Sequence, residues 1–170
     1  MKRVSALLLT LLLLLCCVGC GAQSSAVFGE KDISLTVGGR TVTPDKAPEE
    51  ILAALGADYE YAEAVSCVYE GLDKTYTYAD AVLYTWPDGD TDRLMELYCS
   101  GGDVKTSRGI GLGASRDDVI AAYGEPTSEL GLTLSYELPA SGEMEPASLY
   151  FLIRDGRVEA IGITAEHRAE

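Results

Sequence analysis

The chain contains no asparagine, a single glutamine (Gln23) and a single histidine (His167). With no second imidazole there is no histidine pair for a metal, and His167, in the polar tail "AEHRAE", is not expected to be an ordered base for a serine or cysteine nucleophile. No Gly-x-Ser-x-Gly motif occurs. The scarcity of side-chain amides removes groups that many oxyanion holes and sugar sites use. Positive charge is scarce as well: 13 Lys and Arg stand against 27 Asp and Glu, a net charge of −14. Such a chain is not expected to bind nucleic acid, and an anionic membrane surface would repel it. Neither an enzyme nor a cofactor is expected from this residue set.

What is present begins with Met1-Lys2-Arg3, a leucine-rich run and the small-residue end "CCVGCG", the layout of an export signal. Val18-Gly19-Cys20 resembles the lipobox of bacterial lipoprotein precursors, in which cleavage precedes a cysteine that carries a diacylglyceryl group. Cys20 has the small Gly19 before it, whereas Cys16 and Cys17 follow bulkier residues. Val4 to Gly19 supplies only 16 apolar or weakly polar residues, against about 20 for a membrane span. The expectation is a signal peptide over 1–19, a lipidated tether over 20–29 with Cys20 as the lipidation site, and anchorage on the extracytoplasmic side of the membrane. Two or more acyl chains hold a protein stably where one does not. Loss of Lys2 and Arg3 leaves 11 basic residues against 27 acidic ones, so lipid and not charge would hold the mature chain there.

The body speaks one phrase twice. "APEEILAALG" (47–56) and "ASRDDVIAAYG" (114–124) align when residue n is set against n+68, pairing Glu49-Glu50 with Asp117-Asp118, Ile51-Leu52 with Val119-Ile120, and Gly56 with Gly124. Each copy predicts a short helix. Pro48 suits a first helical position, Ser115 and Asp118 form a capping box, and the acids sit at the positive end of the macrodipole. Gly56 and Gly124 are expected as left-handed C′ stops. Helices this short do not persist alone, so both must pack on sheet.

Three strand signals follow each helix: Val65–Glu70, Tyr78–Trp86 and Arg93–Cys99, then Leu132–Glu137, Ser148–Ile153 and Arg157–Ile163. Asp155-Gly156 is a two-residue hairpin signal, and Asp88 to Asp92 is read as a longer turn at the equivalent place. Ile33–Val37 adds a strand that turns through Gly38-Gly39. The fold class predicted is α+β: two tandem αβββ modules, 30–106 and 107–170, with short helices packed on antiparallel meander sheets. The stretch "GIGLGASRDDVIAAYGEP" resembles the entry to the modules of two families, the small lipoprotein of the outer-membrane β-barrel assembly machine and the β-lactamase inhibitory proteins. The resemblance implies tandem modules with helices on an antiparallel sheet and carries over no binding residue.

Gly109 to Gly113 reads Gly-x-Gly-x-Gly, and the acids that open the next helix would repel a pyrophosphate, so a tight link is expected there. Asp88, Asp90 and Asp92 have the 1, 3, 5 spacing of a calcium loop, but Arg93 and Cys99 replace the glycine and glutamate such a loop needs. A solvated hairpin turn is the reading here and no metal site is assigned; weak metal binding at these three is left open. Cys67 and Cys99 are expected on core-facing sides of a first and third strand, about 9.5 Å apart; a disulfide wants roughly 4.4 to 6.8 Å, so two buried free thiols are predicted. Tyr76, Tyr78, Tyr84 and Trp86 are the candidate partner-binding residues, because "YTYADAVLYTW" puts aromatics on both faces of one strand and such side chains anchor interfaces. The function expected is a non-enzymatic protein-binding or adaptor module with an envelope or secreted protein as partner. The alternative is an inhibitor of a secreted or envelope hydrolase.

Overall fold

Both helices begin and end where their terminal residues dictate. The computed structural model describes residues 27–142 and 145–166; the leader, Cys20, the tether as far as Ala26, and His167 lie outside them. Helix α1 (Pro48–Leu55) has proline in its first turn, and α2 (Arg116–Tyr123) starts on a complete Ser115–Asp118 capping box. Gly56 and Gly124 follow with φ of 101° and 81°, and their N–H groups donate to Leu52 and Ile120 carbonyls at 2.8 Å. The ψ values of −174° and −164° put them outside the expected left-handed helical well. That region is essentially closed to residues with a Cβ, so the stop is stricter than a left-handed cap that asparagine also tolerates. A tyrosine hydroxyl then caps each glycine carbonyl at 2.9 Å, Tyr78 on Gly56 and Tyr136 on Gly124.

Strands β1 (Leu35–Val37) and β2 (Arg40–Val42) form the hairpin expected at Gly38-Gly39, and β7 (Lys105–Thr106) completes a three-stranded sheet. The remaining strands are β3 (Glu60–Val65), β4 (Leu72–Thr77), β5 (Ala81–Asp88), β6 (Thr91–Cys99), β8 (Ser128–Leu130), β9 (Thr133–Leu138), β10 (Ala147–Arg154) and β11 (Arg157–Ala165). They make one antiparallel sheet in the order β3-β4-β5-β6-β11-β10-β9-β8. Each helix thus precedes a four-strand meander, not three strands, and the two last strands, β6 and β11, join the meanders into a single sheet.

The extra strand in the first half corrects the expectation for Val65–Glu70. Beyond Val65, which ends β3, that segment is a turn: Ser66 Oγ accepts from the N–H groups of Val68 and Tyr69, and Ser66 N–H donates to the Gly71 carbonyl at 3.0 Å. The flanking β3 was illegible by periodicity because it is an edge strand with all six residues exposed. Cys67 therefore sits exposed in the turn, not in the core, whereas Cys99 is buried as expected; both are free thiols. The β5–β6 connection is also tighter than expected. Asp88 pairs with Thr91, leaving two residues, Gly89 and Asp90, in the turn. Its counterpart at Asp155-Gly156 has positive φ at both positions, the two-residue hairpin geometry whose twist suits the flanking strands.

One core lies between the layers. Ile33 ahead of β1, and Leu35, Val42, Ile51, Val119 and Tyr123 from the small sheet and helices, cluster with Leu83, Leu97, Leu134, Leu149 and Ile163 of the large sheet. Burial of this kind is worth about 25 cal/mol per Å² of apolar surface, and it supplies the partner surface that two eight-residue helices need. The folded body starts earlier than the expected boundary at residue 30. Phe28 packs on Tyr123 and Tyr136 at centroid distances of 6.0 and 5.6 Å. Thr85 lies in the same interior with no exposure and a hydroxyl that has no hydrogen-bond partner. Thr85→Val keeps the shape and removes the orphan group, so it is expected to stabilise the fold by about 1 kcal/mol, raising the melting temperature by about 2–4 °C. Loss of stability in a thermal melt would show that the hydroxyl is satisfied.

Candidate functional site

The large sheet has two faces, and period-2 alternation assigns its side chains between them. Residues alternating with the core set are Val82 and Tyr84 on β5, Glu96 and Tyr98 on β6, Gly162 and Thr164 on β11, Ser148 and Tyr150 on β10, and Ser135 and Glu137 on β9. All but Gly162 are partly or fully exposed. Strand register lines them into two rows. The first is Val82, Tyr98, Gly162, Tyr150, Ser135, and the second is Tyr84, Glu96, Thr164, Ser148, Glu137.

Gly162 is the pivot of the first row. Its cross-strand partner is Tyr150, and a Cβ on Gly162 would fall 2.3 Å from the Tyr150 Cζ and hydroxyl oxygen. The tyrosine ring therefore lies over bare backbone, a pairing in which an aromatic covers the gap a strand glycine leaves. The Tyr150 hydroxyl donates to Glu96 Oε1. Burial first, and the bond to Glu96 second, push the Tyr150 phenol well above its ordinary range, so it remains a neutral donor holding the carboxylate in place. Ser148 and Thr164 hydroxyls bond across the strands at 2.6 Å. The hydroxyls of Tyr84 and Tyr98 have no partner among the described residues. The rows carry two carboxylates, Glu96 and Glu137, and no lysine or arginine.

Of the four aromatic candidates, only Tyr84 belongs to this face as a partly exposed side chain. Tyr76 is 9% exposed against the core edge and Trp86 is 3% exposed. Trp86 is stacked on Tyr69 at 4.9 Å, with its indole N–H on the Leu94 carbonyl at 3.2 Å. Tyr78 is half-buried and spends its hydroxyl on Gly56. Burial corrects the expected exposure of Tyr76 and Trp86, while Tyr78 stays partly exposed. Tyr98, Tyr150, Glu96 and Gly162 take their place on the face. Alternation within "LMELYC" and "SLYFLI" sets these residues opposite the core, but only the long-range β6–β11 pairing brings them together.

The three aspartates of the β5–β6 turn do not converge. Asp92 holds Lys74 and Asp88 holds Arg93, both at 2.6 Å, and among the described residues no three His, Cys, Asp or Glu side chains gather around a metal position. At one end of the sheet a cleft of about 520 Å³ is lined by Ile33, Pro44, Trp86, Leu94 and Ala147, with Lys31 and Glu166 among the charges near it. Among the described residues no helix is long and apolar enough to cross a membrane. A scan against protein-family models, a search of curated proteins and a search of solved structures find no match to the chain.

Proposed function

We propose that this chain is a non-enzymatic protein-binding or adaptor module, exported and held through lipid on Cys20 at the extracytoplasmic side of the membrane, whose second sheet face receives a basic surface of a partner protein. The observation that carries the reading is the Tyr84, Tyr98 and Tyr150 group around Glu96. Tyrosine side chains concentrate binding energy at interfaces, and the hydroxyls of Tyr84 and Tyr98 are not spent on partners among the described residues; the two carboxylates of the rows match a cationic partner. We read the body as two tandem units, each a helix followed by an antiparallel meander. The 68-residue helix spacing and the equivalent tyrosine bonds to Gly56 and Gly124 support that reading.

The test is capture from a detergent extract of the source cell's envelope by the full-length protein, compared with Tyr84→Ala/Tyr98→Ala. One basic protein is expected on the wild type and absent from the double variant, with recovery falling as salt rises because the charge contribution is screened. Equal capture by both proteins would refute the assignment of the face. If the captured protein is a hydrolase that loses activity on binding, the inhibitor role replaces the adaptor role. Cys20→Ala is expected to move the protein from the membrane pellet to the soluble fraction. Unchanged pelleting would mean that something other than lipid on Cys20 holds the chain.

A further inference from the structure

Strand β3 forms one margin of the large sheet. Its six residues pair in unbroken register with β4, from Glu60 with Thr77 to Val65 with Leu72, and among the described residues no strand lies on its outer side. In an antiparallel ladder alternate residues turn both N–H and C=O to the same neighbour, so about half of β3 directs unpaired backbone groups outward. Proteins normally blunt such an edge with charged side chains, lysine above all, or with proline, a bulge, a very short strand or a cover. Of these β3 has only charge, Glu60 and Glu63, which turns away an acidic edge and admits a cationic one; it contains neither lysine nor proline, its register has no shift, and every residue is exposed. The opposite margin, β8, is blunted to three residues.

The side chains on β3 say what fits. Tyr61, 49% exposed, is held against Tyr76 at 5.3 Å, and Val65 is 77% exposed on the same side. Glu63 lies between them by alternation, while Glu60, Ala62 and Ala64 take the other side. Glu63 accepts the Tyr61 hydroxyl, and among the described residues neither Glu60 nor Glu63 has an ion pair; Lys74, opposite Glu63, gives its ammonium to Asp92 at 2.6 Å. A second copy of this chain would bring its own two carboxylates and a further net charge of −14 to the same edge, and such like charges repel. A cationic extended segment satisfies both the backbone and the carboxylates.

We propose that the β3 edge receives an extended basic segment of another protein as an antiparallel ninth strand, with lysine or arginine opposite Glu60 and Glu63 and apolar residues opposite Tyr61 and Val65. This mode of strand addition draws affinity from main-chain hydrogen bonds and specificity from alternate side chains. It stands independently of the tyrosine face. The probe is a labelled peptide reading Val-Thr-Lys-Thr-Val-Lys, titrated by anisotropy into the full-length protein in detergent, with amide hydrogen exchange measured along β3.

Saturable one-to-one binding is expected, with alternate β3 amides protected at least tenfold when peptide is present. Glu60→Lys/Glu63→Lys should weaken binding at least tenfold, and the charge reversal Asp117→Lys, exposed on α2, should leave it unchanged. Binding with no change in β3 exchange would overturn the proposal, as would binding that survives the double charge reversal. So would a free protein that is already dimeric with its β3 amides protected.

Discussion

Arg108→Ala is expected to destabilise the fold by about 3 kcal/mol, the lower part of the range for removing one partner of a buried ion pair, and to lower the melting temperature by about 10 °C. Arg108 holds Asp32 through two bonds, Nε to Oδ1 at 2.7 Å and an Nη to Oδ2 at 2.6 Å, with the side chains 16% and 13% exposed. The residual exposure is the reason for choosing the lower part of the range. The same guanidinium donates to the Ala122 carbonyl at 2.7 Å and the Val27 carbonyl at 3.2 Å, and lies 4.8 Å from the Tyr123 ring centroid. It thus ties the start of the folded body to the end of α2. Lysine has one compact ammonium and no planar fork, so Arg108→Lys should recover less than half of the loss.

The pair also sets a pH dependence. Burial alone would raise the Asp32 carboxyl, but hydrogen bonds from Arg108 and the Gly29 N–H outweigh it and hold it below its ordinary value of 3.8. A depressed folded-state value contributes stability that is fully present above the unfolded value and lost as pH falls through the folded one. Stability measured from pH 5 down to pH 2 (about these limits) should therefore fall less steeply in Asp32→Asn than in the wild type. An equally steep acid limb would show that Asp32 is not a source of it.

Gly162→Val should cut retention of the proposed envelope partner by about 100-fold, equivalent to about 2.8 kcal/mol, while the chain stays folded. Any Cβ at this position meets the Tyr150 ring at 2.3 Å. The ring must lift away, breaking its bond to Glu96 and disrupting both central rows at once. A crowded strand position costs about 1–3 kcal/mol of stability, partly offset by the better strand propensity of valine. Circular dichroism and the melting temperature separate the two effects. Retained binding in a folded Gly162→Val protein would mean that the Tyr150–Glu96 arrangement does not form the docking surface.

How far the sequence reaches can be judged residue by residue. The helix starts at Pro48 and Ser115 and the stops at Gly56 and Gly124 were legible because caps are local chemistry. The strands around Leu83, Leu97, Leu149 and Ile163 were legible because burial imposes alternation. Strand β3 was not, since an exposed edge strand carries no apolar period and its identity rests on backbone pairing with β4. That miss moved Cys67 from core to turn. Two of the four aromatics first assigned to a binding face, Tyr76 and Trp86, are interior because "YTYADAVLYTW" is the end of β4 and the start of β5, with a register shift between Tyr84 and Thr85 that turns Trp86 inward. Parity along one strand gives two faces but does not say which neighbour covers each side chain. The candidate site depends on β6 meeting β11, a pairing between residues 96–99 and 161–164 that no local signal encodes.

The most direct measurement places a photoactivatable phenylalanine at Tyr84, at Tyr98 and, on the helix side, at Asp117, and irradiates intact cells carrying each full-length variant. Covalent adducts to one basic envelope protein are expected from Tyr84 and Tyr98 and not from Asp117. Adducts to that protein from Asp117, with none from the two tyrosine positions, would contradict the account.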